Sequence, residues 1–553
     1  MPTCKNCTTD FTITDADKTF YAKIDVPEPT RCPQCRKQRR LSFRNESNFY
    51  LTKCQRCHKE TVSVYSPNKP LVVYCKDCWW GEDWNPLDYG QEFDWQKSFT
   101  EQFRDLMAVV PRPALLHSES VNCDYSMFSA NNKDCYMLVQ SSNCEECHYC
   151  YWVQKCRNCL DSAFCLDCEL CYQVVGGEKC YNCFYCNNCS GCLDSRFLLN
   201  CRGCKNCFGC VNLNNAQYCI FNEQKTKTEY ETFIQSVDFI SYRHYREYQE
   251  KFYQFSLQHP RRFAEIYQAD NSTGNYLKRV KNVTMIFDGY DIEDCSYGQH
   301  VLREVKDVMD VSNAARKAEL VYESVQAVLN VYQIRFSLFP RQGASFLDYC
   351  DHCVGAKNCF GCIAVRNQKY CILNKQYSEK EYTVVVPKII NHLKQTGKWG
   401  EFFDPSLSAF GYNETNAMEF FPLTKKAAMT QGFNWEDNTG GTFGQETIKW
   451  ANMPDRFSDY AGDLSREVLT CSDCRRNYKL VAVELDFYKK YSLPIPRQCP
   501  KCRHRERITS RNPEQLYHRA CMNAGCKNEF ETTYSPARPE KVYCEACYQK
   551  EIY

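Results

Sequence analysis

No run of apolar residues in this 553-residue chain approaches the ~20 that span a bilayer, so no membrane partner is expected. The opening MPTCKNCTTDF lacks a basic stretch, an apolar core and a small-residue cleavage site, and does not read as a secretory leader. Net charge is missing too: 69 Lys and Arg face 67 Asp and Glu, leaving +2, so no global field draws the chain to nucleic acid. Catalytic signatures are also wanting. There is no P-loop, no dinucleotide-binding glycine pattern and no nucleophile elbow. CPxC occurs at 32–35 and 499–502 without the His-x-Glu partner of a zinc deaminase. No strand–CxxC–helix context points to a redox enzyme. The expectation is a non-enzymatic, cytoplasmic protein whose thiols stay reduced.

What the chain has in excess is cysteine, 42 residues of it. Reduced cysteines in this number are metal ligands or buried thiols rather than a disulfide framework. Two sets of paired knuckles occupy the first 80 residues: Cys4, Cys7, Cys32 and Cys35, then Cys54, Cys57, Cys75 and Cys78. Two more close the chain: Cys471, Cys474, Cys499 and Cys502, then Cys521, Cys526, Cys544 and Cys547, with one knuckle widened to CMNAGC. Four thiolates at tetrahedral corners, with Zn–S near ~2.3 Å, make a closed structural zinc site. Four such zinc ions are expected.

The two ends are copies of one another. FYAKIDVPEPTRCPQC (20–35) aligns with FYKKYSLPIPRQCPKC (487–502), and YSPNKPLVVYCKDC (65–78) with YSPARPEKVYCEAC (534–547). The stretch CKNCTTDFTITDADKTFYAKIDVPEPTRCPQCRKQRR resembles a "probable zinc-ribbon" family of short bacterial modules. In that pattern a CxxC is followed by an FY pair, a proline, CPxCR and a basic tail. The resemblance implies zinc on Cys4, Cys7, Cys32 and Cys35. The copy at 471–502 is similar, with ELDFY in place of DKTFY. The whole chain also resembles large cysteine-rich zinc-ribbon proteins of candidate-phyla bacteria. That likeness implies zinc binding and carries no activity.

Between the ends, cysteine stands at 123, 135, 147, 159, 171, 183, 207 and 219, with Ser195 in the missing place of a twelve-residue period. A second column runs through 144, 156, 168, 180, 192 and 204, three residues away. So short a period implies stacked units that bury a face only against one another. Two or three short strands per turn, or a 24-residue turn made of two halves, would satisfy it. Stacked columns of a small, buried, apolar residue fit a narrow interior. Packing is the favoured reading of these thiols. The alternative is additional zinc on adjacent rungs, as with Cys144, Cys147, Cys156 and Cys159. NCFGCVNLNNAQYCIFNEQKTKTEY (206–230) recurs as NCFGCIAVRNQKYCILNKQYSEKEY (358–382), so the repeat region is itself duplicated, and the second copy has lost most of its cysteines. Thr226-x-x-Glu229 and Ser378-x-x-Glu381 predict matching capped helices that cover the ends of the two stacks.

The expected fold is therefore mainly β with helical caps: paired zinc ribbons at both termini flank a duplicated cysteine-rich β-solenoid. Expected boundaries are ribbons at 1–50 and 51–90, a connector at 91–122, the first solenoid at 123–223 and a helical cap and linker at 224–284. The second solenoid follows at 285–375, a helical cap at 376–403, an irregular linker at 404–468, and ribbons at 469–513 and 514–553.

Two basic clusters follow the CPxC knuckles. Arg36, Arg39 and Arg40 lie in one, Arg503, Arg505 and Arg507 in the other. Arginine forks suit phosphate, so these six are the candidate nucleic-acid contacts. The competing reading pairs them with acids of the same protein. His58, His148 and His352 stand beside knuckle-type cysteines, where packing or solvation is the simpler role. The functional expectation is an RNA- or ribosome-associated zinc protein. The alternatives are a protein–protein scaffold on the solenoid, and metal storage or thiol buffering.

Overall fold

The structure, a computed structural model, describes residues 1–151, 160, 163–165, 175–177, 183–302, 309, 312–315, 322–323, 325–328 and 330–552. It contains short helices and small sheets, with four-cysteine sets at both ends.

Two long parallel ladders dominate. In the first, Cys123 pairs with Cys135, Cys183 with Ser195 and Phe208 with Ile220. Parallel partners lie twelve residues apart, so the 24-residue alternative does not hold. In the second, the step is thirteen at Gln299↔Ser312, Ser312↔Val325 and Tyr332↔Ser345, then twelve at Ser345↔Lys357 and Lys357↔Lys369. This ladder opens with the strand Ile266–Ser296, which begins inside the stretch expected as cap and linker.

Within a turn the backbone repeats every three residues rather than as two or three strands. Asn122, Tyr125, Phe128, Asn131, Asp134, Met137 and Gln140 all have φ between 51° and 57°. Each three-residue step turns one residue inward, bridges to the next rung with the second and places the third in the left-handed region. Thus Cys144, Cys147 and Cys150 are buried, Glu145, His148 and Tyr151 bridge to residues twelve earlier, and Glu146 and Tyr149 have φ of 54° and 57°. A CxxC in this region is two consecutive inward positions. Left-handed backbone favours Asn and Gly, which accounts for the run Asn200, Gly203, Asn206, Gly209, Asn212 and Asn215. At Gly203 a Cβ would collide with the Asn215 carboxamide on the next rung, and at Gly355 with that of Asn367.

The inward thiols donate to the carbonyl two residues back. Cys201, Cys204, Cys207 and Cys210 do so at 3.4–3.6 Å, each with no exposed surface. Ser195, in the same column as Cys207, makes the same bond at 2.7 Å. The last rung of each ladder closes on a side chain: Asn222 exchanges two bonds with the Val211 backbone and Asn374 two with that of Ile363. A carboxamide here replaces the peptide of a further rung and satisfies an otherwise open edge.

The helices Lys227–Ser236 and Glu379–Gln395 begin with the anticipated capping boxes. The first lies on the aromatic side of its ladder, where Phe233 meets Phe208 at 5.1 Å and Tyr230 meets Tyr218 at 5.7 Å. The terminal rung of the second ladder is covered instead by 86–91, through Asn374 to Pro86 O and Gln91 N–H to Leu373 O, both 2.9 Å.

The termini are exchanged between the ladders. One core joins Phe20, Tyr21 and Phe43 to Tyr322, Tyr349 and Phe360, uniting the N-terminal modules with the second ladder. Another joins Tyr149 and Leu160 to Leu485, Phe487 and Tyr488, uniting the third zinc module with the first ladder. The helix Phe99–Val109, which precedes the first ladder, packs on the second through Phe99 and Tyr349 at 5.1 Å. The helix Tyr242–Leu257, which precedes the second, packs on the first through Tyr245 and Tyr185 at 4.7 Å. Segment 399–416, within the expected cap and linker, is built into the first core through Trp399, Phe402, Phe403 and Phe410. The two ends of the chain also touch: Lys501 donates to Asn48 Oδ1 at 3.0 Å, and Lys37 pairs with Glu514.

Candidate metal centres

All four predicted cysteine sets are assembled, and within each the four sulfurs lie within 4.8 Å of one another. Cys7 and Cys32 sulfurs are 3.7 Å apart, Cys57 and Cys75 3.8 Å, Cys474 and Cys499 3.7 Å, and Cys526 and Cys544 3.9 Å. Tetrahedral zinc with Zn–S of ~2.3 Å requires sulfur separations near ~3.8 Å. The donor set and its dimensions fit zinc.

Local sequence builds each site in the same way. The first knuckle is a tight turn in which the residue after the second cysteine takes φ near 60°: Thr8, His58 and Arg475 at 60°, 61° and 62°. His58 is a turn residue, not a ligand. The second knuckle opens a helix. Cys32, Cys75 and Cys499 are the N-cap residues of Pro33–Leu41, Lys76–Trp80 and Pro500–Ser510. The N-terminal end of a helix favours a thiolate. A basic helix after each CPxC knuckle is the competing reading of the arginine clusters, and the helices Pro33–Leu41 and Pro500–Ser510 occupy those places; the helix at Lys76–Trp80 is not anticipated by the sequence.

Between the knuckles one bond recurs. The backbone N–H of Cys32 donates to Cys4 Sγ at 3.3 Å, Cys75 to Cys54 at 3.3 Å, Cys499 to Cys471 at 3.2 Å and Cys544 to Cys521 at 3.3 Å. Burial opposes ionisation of these thiols. At Cys54 the converging N–H groups outweigh it and bring the thiol down to about 6, and at Cys471 to about 7. At the widened knuckle the pattern moves: Cys521 is raised, chiefly by burial, and Cys544 is brought down to about 6.

The additional set is not assembled from what is described. Cys144 and Cys147 are buried, while Cys156 and Cys159 lie outside the described residues. Among the described residues no further cysteine group has metal-site geometry. His148 and His352 are buried, and His352 Nδ1 meets Asp351.

The arginines depart from expectation. Arg36, Arg39, Arg40, Arg503 and Arg507 are between 1% and 5% exposed, so they form no open basic face; Arg503 and Arg507 instead stand in the lining of a cleft beside the first ladder. Of the six candidates only Arg505 is exposed. Arg39 is held by Glu323 at 2.9 Å and Glu401 at 2.8 Å. Arg503 meets Glu484 and the Tyr488 hydroxyl, both at 2.8 Å, and its guanidinium lies 4.9 Å from the Tyr149 ring. The missed signal is the duplicated acid one helix upstream, Asp17 in one copy and Glu484 in the other, each buried under its module. Arg39, through Glu323, and Arg503, through the Tyr149 ring, fasten their modules to ladders.

Among the described residues no helix is long and apolar enough to cross a membrane. Comparison of the chain with curated proteins and with solved structures finds no match. Residues 2–44 match the family described as "Probable treble clef domain". The chain thus carries a zinc-binding treble-clef module at its start and four closed four-cysteine centres shared between its two ends.

Proposed function

We propose that the chain is a non-enzymatic, zinc-stapled scaffold for a protein partner in a reducing compartment. Its two ladders are read as β-solenoids with four three-residue sides per turn, each held by zinc modules. The observation that carries this reading is the closure of every centre: four protein sulfurs surround each site, so no position remains for substrate. The outer surface is where binding is left to occur. Tyr332 and Phe346, on neighbouring turns of the second ladder, are 38% and 46% exposed and pack edge to face at 5.4 Å. Paired exposed rings of this kind serve as interface anchors.

Association with RNA is the second reading. It is favoured by the arginines that line a cleft between the helix Tyr242–Leu257, the first ladder and the last two zinc modules, among them Arg243, Arg497 and Arg538. Metal storage and thiol buffering are disfavoured, because the ladder thiols face inward and are bonded to the backbone.

A photo-crosslinking residue placed at Phe346 in the zinc-loaded full-length chain tests the scaffold in its native host. One dominant protein adduct, lost on Tyr332→Ser and missing from a crosslinker at Glu145, is expected. An RNA adduct at Phe346, or identical adducts from both positions, rules the scaffold surface out.

A further inference from the structure

The two halves are built alike, and one difference between them is a missing counter-charge. Pro111-Arg112 leads into the first ladder and Pro260-Arg261 into the second. Each arginine pairs in parallel with the equivalent valine of a zinc module, Val73↔Arg112 and Arg261↔Val542. Arg112 is buried and meets Asp351 at 2.8 Å. Asp351 gives its N–H to Cys362 O and accepts from Ala364 N. Leu199 makes the same two bonds 152 residues earlier, to Cys210 O and from Asn212 N. Leucine therefore stands where Arg261 would find its carboxylate. Arg261 is 6% exposed and, among the described residues, donates to neutral oxygens, His259 O at 3.3 Å and Ser256 Oγ at 3.1 Å. Glu540, in the same cleft, is bound by Arg538 at 2.6 Å. A buried guanidinium without a carboxylate is costly in the free protein.

The halves also differ in how the adjoining space is filled. Around Arg112 it holds segment 399–416: Tyr65 stacks on Phe410 at 5.3 Å and 5°, and Phe103 meets Phe403 at 4.9 Å. Around Arg261 the corresponding Tyr534 and Phe252 line an open cleft of about 1220 Å³. No counterpart of 399–416 follows the first capping helix, because only residues 237–241 separate the helices Lys227–Ser236 and Tyr242–Leu257; segment 448–464 packs nearby and places Asp455 at the cleft without filling it. Nor is the cleft shaped for a copy of that peptide. Arg39, which grips Glu401, is replaced by Glu506, and Phe43, which meets Phe402, by Ser510. Lys and Arg outnumber Asp and Glu in the lining by nine to five. Among the described residues the Tyr534 ring meets no other ring, and the Arg538 guanidinium lies 5.8 Å from it.

We propose that this cleft binds a nucleoside phosphate, with an oxyanion against Arg261 and the base against Tyr534. Arginine forks match phosphate oxygens, and tyrosine faces accept any base. The ligand is either a free nucleotide or a nucleotide of a single RNA strand. The site is independent of the scaffold surface at Tyr332 and Phe346.

The test titrates the full-length, zinc-loaded protein with a fluorescent ATP analogue and with a short labelled single-stranded RNA. Leu199→Asp supplies the carboxylate that the other half already has, and Arg261→Leu removes the buried charge. Both variants are expected to match or exceed the parent in thermal midpoint while binding the probes at least about tenfold more weakly, as loss of a charge-assisted bond implies. Binding of ATP alone identifies a free nucleotide, and binding of RNA alone a strand. Failure of the parent to bind either probe, or undiminished binding by both variants, overturns the proposal. Equal competition by inorganic phosphate and ATP, or full binding by Tyr534→Ala, overturns the base seat.

Discussion

Arg39 shows at the scale of one residue why composition misled. On the page it belongs to a run of basic residues with no acid among them, and such a run reads as a surface. In the fold it is 2% exposed, between Glu323 and Glu401, which come from distant parts of the chain. Burial and long-range ion pairing leave no local trace in a sequence, whereas metal-ligand spacing does. Removing the guanidinium strands Glu323 without its counter-charge. Arg39→Met is therefore expected to cost about 3–5 kcal/mol in denaturant unfolding, with no change in RNA affinity. The ladder cysteines obey a milder rule. Ser195 already occupies the Cys207 column and keeps the bond to the carbonyl two residues back. Cys207→Ser should stay within about 1 kcal/mol of the parent, while Cys207→Leu, overfilling a narrow interior, should cost about 1–3 kcal/mol in the same measurement.

At the scale of elements, the zinc modules were legible because tetrahedral coordination dictates ligand type, number and approximate spacing. The helices after Cys32 and Cys499 were legible only as the alternative reading of the basic runs, and the short one after Cys75 left no periodic pattern to read. The ladders were half legible. Column spacing gave the twelve-residue step, but the three-residue substructure lies in backbone dihedrals. Its trace, Asn and Gly recurring at every third place from 200 to 215, was overshadowed by cysteine. Each module is also a separable metal centre. Native mass spectrometry of the purified chain should count four zinc ions, and three for Cys54→Ser. That variant should also expose Trp79, which is 2% exposed beneath its module, to fluorescence quenchers. A parent count well above four would assign metal to the ladder thiols.

At the scale of the whole molecule, the duplication was readable from matched segments, whereas the exchange of ends was not, since nothing local says which ladder a module will meet. The N-terminal modules share their core mainly with the second ladder, with Met127 and Phe128 of the first at its margin, and the third module packs on the first. The fourth is joined to the first by Tyr548, whose hydroxyl meets Asn212 at 3.1 Å. A chain stopped before residue 469 should therefore yield a protease-resistant second ladder and a cleavable first, as limited proteolysis followed by mass spectrometry would read. The exchange also imposes an order in time. During synthesis the first ladder emerges well before residues 469–553, which carry its clamp, an interval on the order of tens of seconds at ~5–20 residues per second. Until residues 469–553 arrive, the first ladder stands with an unsupported flank, open to proteases and to pairing with other exposed edges.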